Sequence, residues 1–476
     1  MKIWFVSQVA LPSYDSFFSE RQIDSIKESG KPIKFDELSY QGRIHVGNGL
    51  FYYLLAIMSV IIPSFLLFKY LAVVLGIISI ILVFLITEKL FPSKWIALLT
   101  SILAALSPSL FSFSLNTVSP ELFFMFFYLL LIYLYVGLDK SPNKILAFVL
   151  IFIFATLTSS LILSVVLGLG IYFLLLRLEF LPLRRREFEI FFFSGLFALW
   201  YYVLLFKKLF FNGIQSLWNN IPGELLSNYF SGMTVSLALA LVGFIPMLLG
   251  FYAIYVVLFK ERNRKLLFLI SLVFSWGLLV WLGLIPFKSG VIFGTLTLVL
   301  LSAYTLNKIT IYFKKTKISF LRPVLAISLL IIIFLAFIPV FSYVDVIKEE
   351  TPTENELETM IFIEQNTPVD STVLGEINDG HLISAVAKRK NFFDTRFIFA
   401  PQAQQRYADA EKIFLTRSEV VVKQLFNTYN IDYLYLSTNT ERVYGEQKLF
   451  EESSCFELLF ETNQTKVYEF ACENKN

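Results

Sequence analysis

Cysteine, histidine and charged residues are scarce in this chain of 476 residues. It has two cysteines, two histidines and only 16% Asp, Glu, Lys and Arg. His45 has no second His or Cys near it, so no metal-site spacing is present. The glycine-rich phosphate loop, the dinucleotide fingerprint and the nucleophile elbow are also missing, which argues against ATP and nicotinamide chemistry. Hydrophobic residues instead make up 56% of the chain, far more than in soluble domains, and indicate a polytopic membrane protein.

The apolar residues form segments of about 18 to 25 residues, the length of a membrane-spanning helix. They lie near 49–67, 70–91, 95–114, 120–138, 144–160, 161–177, 188–206, 235–259, 266–285, 290–306 and 323–344. We therefore expect about 10–11 spanning helices in a membrane domain of residues 1–344. The apolar stretch at the N-terminus is too short to span, so a first helix is either truncated or represented only by its outer end. Residues 345–476 have the composition of a soluble domain.

Lysine and arginine predict the orientation, because they are enriched in cytoplasmic loops. The basic linkers are 177–186, 260–265 and 308–317, with weaker ones at 88–94 and 139–144. If successive spans cross the membrane in alternate directions, segments 115–119, 207–234 and 286–289 lie outside, together with the C-terminal domain. This solution requires segment 49–67 to lie at the outer leaflet without crossing. In the alternative, 49–67 crosses and the polar residues before it are cytoplasmic.

Residues 13–48 form a long polar insert before the first span, and 13–68 are the expected first external loop with interfacial helices. Ser13 can cap a helix that runs to about residue 29, where Gly30 and Pro32 end it. Asp15 falls in the first turn of this helix. Its carboxylate either has a chemical role or only interacts with the free backbone amides there.

Two further charges stand at the ends of apolar segments. Glu121 opens a spanning helix after Pro120, where a carboxylate is expensive and often functional, although it also suits a helix N-terminus. Lys288 is the one charge in a short external turn, and it either snorkels to the interface or meets an anionic headgroup.

The C-terminal domain has the pattern of an α/β fold. Helices are expected near 354–365, 380–388, 402–415 and 418–429, strands at 371–376 and 431–437, and a hairpin at the end. Cys455 and Cys472 are equidistant from the hairpin turn around Asn463, so they are either a disulfide or two buried thiols. Asn463 also begins a glycosylation sequon.

The order of these features resembles the GT-C superfamily of polyprenyl-phosphate-dependent glycosyltransferases, and in layout the oligosaccharyltransferase catalytic subunits. The first external loop of that family begins with an Asp, aromatic residues and an Arg, and ends near a Gly-Arg pair. This sequence has these residues at Asp15, Phe17, Phe18, Arg21, Gly42 and Arg43. Segment 371–397 is similar to the region around the family's Trp-Trp-Asp-Tyr-Gly signature.

The resemblance implies a GT-C helical bundle with an extracytoplasmic α/β domain in the cell membrane. The implied activity is inverting transfer of a sugar from a polyprenyl (dolichyl-type) phosphate donor to a lipid, glycan or protein acceptor. Asp15 is then the general base, and Glu121 orients the acceptor or assists Asp15. The departing phosphate needs a cation, for which the candidates are Arg21, Arg43 and Lys288. A divalent metal, Mg²⁺ or Mn²⁺, on Asp15 and Glu121 is a candidate cofactor, and no nucleic-acid partner is implied.

The sequence departs from the family at two motifs. Residues 376–380 replace the signature pentapeptide and keep only its final glycine, Gly380. Since that signature reads the acceptor sequon, the departure argues against transfer of a whole glycan to asparagine. The residues in its place, as acceptor-side candidates, are Glu376, Asn378 and Asp379. Ser119 stands where the family has a second carboxylate, so the sequence is closer to members that move a single sugar with little or no metal dependence.

Two other classes of function remain open at this stage. A non-catalytic protein that binds a ligand through its external domain has no need of Asp15. A transporter is expected to have ionisable or broken segments at mid-membrane and an inverted repeat, and neither is evident. Convergence of Asp15, Glu121 and a cation in one place distinguishes the enzyme from both.

Overall fold

The computed structural model describes residues 2–7, 11–115, 118–138, 143–207, 223, 235–315 and 350–472. A membrane domain of packed helices is followed by a C-terminal α/β domain, which confirms the predicted fold class. The predicted domain boundary after residue 344 and the predicted span 323–344 lie outside the described residues.

The polar insert contains one long helix and a short hairpin. Helix α1 (Lys2–Ser7) precedes it, and α2 (Tyr14–Ser29) begins after Ser13 and ends at Gly30, which has a φ of 72°. Strand β1 (Phe35–Asp36) then pairs antiparallel with β2 (Arg43–Ile44). The bounds of α2 agree with the predicted helix, whereas the hairpin was not predicted.

Segment 49–67 is divided between two helices. Helix α3 (Gly49–Ile61) stops before Pro63, and the first long helix begins at Ser64, earlier than predicted. Proline has no amide hydrogen to continue a helix, so the break falls there. Near the end of α3 the side chains of Val60 and Ile61 are exposed, which suits contact with lipid.

The membrane domain continues with α4 (Ser64–Leu90), α5 (Lys94–Leu106), α6 (Pro108–Phe113), α7 (Pro120–Val136), α8 (Asn143–Thr158), α9 (Leu163–Leu178), α10 (Arg185–Leu205), α11 (Val235–Val242), α12 (Phe244–Phe259), α13 (Arg264–Trp281) and α14 (Phe287–Lys315). Helices α4, α10, α13, α14 and α9 with its preceding 3₁₀ turn are long and apolar enough to cross a membrane. Helices α3, α5, α7, α8 and α12 are apolar but shorter. The predicted spans 95–114 and 235–259 are each interrupted, at Ser107 and at Gly243.

Glycine allows two pairs of these helices to approach closely. A Cβ at Gly168 on α9 would lie 2.6 Å from Leu272 Cδ2 on α13, and one at Gly250 on α12 would lie 3.0 Å from the Leu298 carbonyl oxygen on α14. Without a hydrophobic driving force between helices in lipid, this kind of close backbone packing is a main source of bundle stability.

The bundle has two distinct ends, which we call the basic face and the domain face. At the basic face the ammonium groups of Lys89 and Lys144 lie against Gly137, and ion pairs join Arg264 to Glu187 and Lys308 to Glu261. At the domain face, by contrast, Lys288 pairs with Glu350 beside the start of α2. The basic linkers predicted to share one side of the membrane therefore meet at one end of the bundle.

The C-terminal domain consists of a five-stranded sheet and its surrounding helices: α15 (Glu354–Asn366), β3 (Thr372–Leu374), α16 (Asp379–Leu382), β4 (Lys390–Asn391), α17 (Ala403–Leu415), α18 (Glu419–Tyr429), β5 (Tyr433–Leu436), α19 (Thr438–Tyr444), α20 (Lys448–Glu452), β6 (Phe456–Glu461) and β7 (Lys466–Phe470). The strand order is β4-β3-β5-β7-β6, with β3 parallel to β4 and β5, and β7 antiparallel to β5 and β6. Strand β4 and helices α19 and α20 are too short to have been recognised in the sequence.

The last hairpin carries a disulfide between Cys455 and Cys472, whose Cα atoms are 5.0 Å apart. The expected direct pairing of these two residues is shifted by one position, because the strands change register between Leu458 and Phe460. Phe456 accordingly pairs with Phe470.

The tip of the polar insert is built into the C-terminal domain. Tyr40 is 2% exposed and belongs to the hydrophobic core of that domain. Its hydroxyl donates to the Asp394 carbonyl at 2.7 Å, and its backbone amide donates to Asn391 at 2.8 Å. Gln41 donates to Thr372 Oγ1 at 2.9 Å. These contacts fix the insert, and therefore α2, against the segment that follows β4.

Candidate active site

Phe18 lies at the centre of a polar group of side chains between the insert and the C-terminal domain. Its ring is 1% exposed, and both histidines of the chain contact it, with ring centroids 5.1 Å away for His45 and 5.6 Å for His381. The guanidinium carbons of Arg43 and Arg396 lie 5.7 Å and 5.1 Å from the same centroid. The ring thus brings together residues that are more than 300 positions apart in the sequence.

Asp15 lies one helical turn before Phe18 on the same face of α2. The side chain of Asp15 is 51% exposed, although most of its neighbours on this turn are buried. Thr395 Oγ1 donates to Asp15 Oδ1 at 3.3 Å rather than leaving the carboxylate to the helix amides. Asp15 is therefore both accessible and held by the C-terminal domain.

His381 also forms a hydrogen bond with Thr395. Its Nε2 lies 2.8 Å from Thr395 Oγ1 and 3.5 Å from Asp15 Oδ1. Burial lowers the pKa of His381, so the ring is neutral at physiological pH. With Nε2 protonated, His381 donates to Thr395, and Thr395 donates in turn to Asp15.

The side chain of Arg396 interacts electrostatically with both predicted catalytic carboxylates. Burial alone would lower the pKa of its guanidinium, but Asp15, Tyr52 and Glu121 outweigh that effect and raise it. Both carboxylates therefore act on the same buried charge. Arg396 Nε makes no hydrogen bond among the described residues. Asp15 and Glu121 are thus both within electrostatic reach of Arg396.

Arg43 is 3% exposed, and its side chain supports the backbone of Arg396. It donates from Nε to Ser39 at 2.7 Å and from Nη1 to the carbonyl of Arg396. Burial raises the pKa of Asp394, but His381, Arg43 and hydrogen bonds from Ser39 and Asn391 outweigh it and keep the pKa of the carboxyl well below its ordinary value. Asp394 is thus an anion. It fixes the loop that contains Arg396, because it accepts a 2.8 Å hydrogen bond from the Arg396 backbone amide.

The other two predicted phosphate-binding cations already have carboxylate partners. Arg21 makes a bidentate pair with Asp36, with distances of 2.7 Å and 3.0 Å. Lys288 lies 3.5 Å from Glu350 and is 69% exposed, so its pair is weak. Arg21 mainly fastens α2 to the hairpin, whereas Lys288 is available at the edge of the site.

The three acceptor-side candidates lie behind Asp15, inside the C-terminal domain. Glu376 is 4% exposed and accepts from the amide of Asn378 at 2.9 Å, and Asp379 is fully buried and accepts from Ser437 at 2.6 Å. Burial raises the pKa of both carboxyls. These contacts turn the carboxylates towards the interior of the domain, so a structural role suits them better than contact with an acceptor.

The residues around Asp15 and Glu121 do not fit a divalent metal. Both carboxylates act on the guanidinium of Arg396, which would repel a metal ion placed between them. Ser119, at the position of the family's second carboxylate, uses its hydroxyl to cap α7 by accepting from the Leu122 amide. Among the described residues no group of three or more His, Cys, Asp and Glu could hold a metal ion.

A cavity of about 820 Å³ lies next to this centre at the domain face. Its wall is formed by the β1–β2 hairpin, the start of α3 and the end of α10, and includes His45 and Tyr52. Tyr52 joins the cavity to the candidate reaction centre, because it lines the cavity and its ring centroid lies 6.2 Å from that of Phe18. The side chains of Lys31, Lys34 and Lys207 also line the cavity: they are exposed and supply positive charge.

Sequence reasoning identified Asp15, Glu121 and Arg43 but missed His381, Thr395 and Arg396. All three lie within segment 371–397, which was recognised only as similar to a signature region. The scarcity of histidine was the one signal that could have drawn attention to His381. The interaction of Arg396 with the two carboxylates has no sequence signal, because it depends on docking of the insert.

Comparison with known proteins supports the fold. No protein-family model and no curated protein sequence matches the chain. Among solved structures, the chain is similar to the apo oligosaccharyltransferase of Archaeoglobus fulgidus, with a TM-score of 0.64, 16% identity, and coverage of 96% of this chain and 70% of that one. The same archaeal protein, AglB, in complex with an inhibitory peptide and a dolichol-phosphate gives a TM-score of 0.63 at 15% identity.

A second solved protein matches over nearly its whole length. ArnT from Cupriavidus metallidurans, bound to undecaprenyl phosphate, gives a TM-score of 0.57 at 13% identity, with coverage of 98% of this chain and 96% of that chain. AglB and ArnT are both GT-C glycosyltransferases. At these identities the comparison establishes architecture, and both the helical bundle and the C-terminal α/β domain fall within it. The chain therefore has the fold seen in these two glycosyltransferases.

Proposed function

We propose that this protein is a membrane glycosyltransferase that moves a single sugar from a polyprenyl phosphate donor to an acceptor hydroxyl. The observation that carries this proposal is that Asp15, which is held by Thr395 and His381, shares the domain face with Arg396, whose guanidinium lies over Phe18 and interacts electrostatically with Asp15 and Glu121. The AglB and ArnT structures contain dolichol-phosphate and undecaprenyl phosphate respectively, which supports a lipid phosphate as the donor here. The sugar acceptor is a lipid, glycan or protein, and the domain face is extracytoplasmic.

Asp15 is the general base in this proposal. Its carboxylate is half exposed, so an acceptor hydroxyl can come within hydrogen-bond distance. As Asp15 takes the hydroxyl proton, the acceptor oxygen bonds to the anomeric carbon from the face opposite the phosphate, and the configuration inverts. Thr395 and His381 keep the carboxylate oriented during this step.

Arg396 stabilises the departing phosphate. The bond between the anomeric carbon and the phosphate oxygen breaks, and its electron pair stays on that oxygen as added negative charge. A guanidinium already held by the protein is suited to this charge, because it needs no reorganisation during the reaction. Lys288, which is exposed at the edge of the site, is a second candidate for the phosphate. Glu121 orients the acceptor or assists Asp15.

The cavity beside Tyr52 is suited to the lipid-linked substrate. It opens at the membrane boundary between α3 and α10, and it combines apolar and aromatic walls with exposed lysines. A prenyl chain prefers the apolar and aromatic walls, and a phosphate group prefers the lysines. This location explains why an active site for a membrane-soluble donor lies where the helices meet the α/β domain.

The test is transfer of a labelled sugar from a polyprenyl phosphate donor in membranes that contain the full-length protein. Asp15→Asn is expected to lower the transfer rate about 10²- to 10⁴-fold, the usual contribution of a general base. Asp24→Asn is the matched control, because Asp24 is exposed on the same helix. Transfer by Asp15→Asn at the rate of the control would remove Asp15 from the mechanism. Absence of transfer by the wild-type protein from each of a set of donor sugars would refute the enzyme proposal and favour a ligand-binding role.

A further inference from the structure

The basic face contains a second cavity, of about 680 Å³, with an unusual concentration of positive charge. Five cationic side chains and one carboxylate line it together with Tyr135, Leu138 and Tyr172. The charged residues are Arg184, Arg185, Arg186, Arg264, Lys265 and Glu187. It lies between the C-terminal ends of α7 and α9 and the N-terminal ends of α10 and α13.

This cavity is at the far end of the bundle from the candidate active site. Helix α7 runs from Glu121, which interacts with Arg396, to Tyr135 in the cavity wall. Helix α10 likewise runs from Arg185 in this cavity to Leu205 in the cavity beside the insert. At 1.5 Å per residue these helices place the two sites about 20 to 30 Å apart along the bundle.

In the described part of the chain, no carboxylate pairs with Arg186 or Lys265, so these two cations of the cavity keep an unbalanced charge. Glu187 accepts hydrogen bonds from Tyr172 at 2.9 Å and from Arg264 at 3.1 Å, so both of its carboxylate oxygens already have partners. Glu189 pairs with Arg185 at 2.8 Å on the exposed surface. Arg186 donates to a backbone carbonyl of Leu138 and has no carboxylate within salt-bridge distance in the part of the chain that the structure describes.

The position of these cations also opposes the helix dipole. Arg185 and Arg264 open α10 and α13, where the dipole is positive and favours anions over cations. Basic residues are expected on one side of any membrane protein. That tendency places them on a face, but it does not explain why they surround a cavity and gather at two helix N-termini. A bound anion neutralises the excess positive charge and interacts favourably with the positive N-terminal ends of both helices.

The surroundings identify the anion as part of a lipid. Phe180, in the loop before α10, is 89% exposed, and Leu183 is 53% exposed, so this loop offers apolar side chains that suit contact with the bilayer. Buried Tyr135 and Tyr172 provide an apolar floor for the glycerol and upper acyl region. Basic pockets between spanning helices are typical binding sites for anionic headgroups.

We propose that the cavity at the basic face binds the headgroup of an anionic phospholipid, in the leaflet opposite the candidate active site. The phosphate lies against Arg184, Arg186 and Lys265, and the ends of α10 and α13 face it. The lipid ties together α7, α9, α10 and α13, so its binding stabilises the bundle. This inference does not depend on the glycosyltransferase proposal.

The test measures lipid binding and thermal stability of the full-length protein in detergent micelles and nanodiscs. Phosphatidylglycerol is the anionic probe, phosphatidylcholine the neutral one and glycerol 3-phosphate the soluble one. The cavity variant carries Arg184→Gln and Arg186→Gln. The control variant carries Arg262→Gln and Lys315→Gln, which removes two cations from the same face, outside the residues that line the cavity.

Phosphatidylglycerol is expected to bind to the wild-type protein in native mass spectra and to raise its melting temperature, with no effect of the other two probes. The cavity variant is expected to bind phosphatidylglycerol roughly 30-fold more weakly, from the usual contribution of two surface cations, while the control keeps its affinity. Equal losses in both variants would overturn the proposal in favour of general surface attraction. Displacement of the lipid by glycerol 3-phosphate would overturn the lipid assignment.

A single Lys265→Gln variant guards against misfolding of the double variant. It leaves the Arg186 contact with Leu138 intact and is expected to weaken phosphatidylglycerol binding about fivefold. If Lys265→Gln folds and binds the lipid as the wild type does, the proposed site is wrong.

Discussion

Replacement of Arg396 by glutamine is the sharpest test of the site as the structure presents it. The change keeps a planar polar group of similar size but removes the charge that Asp15 and Glu121 share. If Arg396 stabilises the departing phosphate, kcat/KM for sugar transfer falls. A single preorganised group of this kind contributes about 10²- to 10³-fold to the rate. We expect Arg396→Gln to lose activity in that range.

Arg396→Lys separates charge from geometry. Lysine keeps the positive charge but lacks the flat, forked set of donors that matches a phosphate. It is expected to recover part of the lost rate and to remain below the wild type. Full recovery would mean that only the charge matters at this position.

Arg406→Gln is the matched control for this experiment. Arg406 is also mostly buried in the C-terminal domain, and it donates to Gln41 at 2.9 Å and to the Phe392 carbonyl at 2.9 Å. It supports docking of the insert, but its charge acts on Tyr429 and Tyr40 rather than on the carboxylates. The assay is transfer of labelled sugar by purified protein in proteoliposomes, with melting temperatures measured in parallel. Equal loss of activity in Arg396→Gln and Arg406→Gln would show that docking, and not phosphate stabilisation, explains the effect.

Four further predictions follow from the same contacts. Thr395→Val is expected to lower transfer about tenfold or more, because it removes a hydrogen bond to the catalytic carboxylate, and Thr395→Ser should restore the rate. EDTA should leave transfer unchanged, since Arg396 supplies the positive charge; inhibition that Mg²⁺ or Mn²⁺ reverses would contradict this. Burial lowers the pKa of His45 from 6.5 to about 3, so stability present above pH 6.5 should be lost as pH falls towards 3, and His45→Gln should flatten this dependence in melting curves. Replacing Cys455 and Cys472 by serine opens a loop with a sequence separation of 17 and should cost about 3 kcal/mol in denaturant unfolding; wild-type stability in the double variant would show that the disulfide contributes nothing.

Some parts of this protein follow from local sequence rules. Gly30 determined the C-terminal end of α2, because left-handed backbone is a property of a single residue. Ser13 stands at the other end as predicted, but its hydroxyl contacts Ser16 Oγ and makes no capping bond to a helix amide. The basic linkers predicted which loops share a membrane face, since that preference is set by each loop on its own. The start of α4 at Ser64, directly after Pro63, was not predicted.

Other parts could not be predicted in this way. The change of register between Leu458 and Phe460 depends on how two strands pack on the domain, so symmetry about the turn was misleading. Glu376 and Asp379 are polar and lie near a motif of the related family, which suggested contact with an acceptor. Their burial is decided by the surrounding helices and strands, and no local pattern indicates it.

The amino-acid sequence by itself determined the membrane class, the two-domain order and the prominence of Asp15. Hydrophobic length, charge sorting and helix capping are local properties, and they suffice for these features. Only the tertiary structure decided what surrounds Asp15. Docking of the insert tip through Tyr40 places the segment after β4 against α2, and this brings His381, Thr395 and Arg396 to a carboxylate more than 360 residues away. A contact of that kind depends on packing between domains, which no sequence period or short motif encodes.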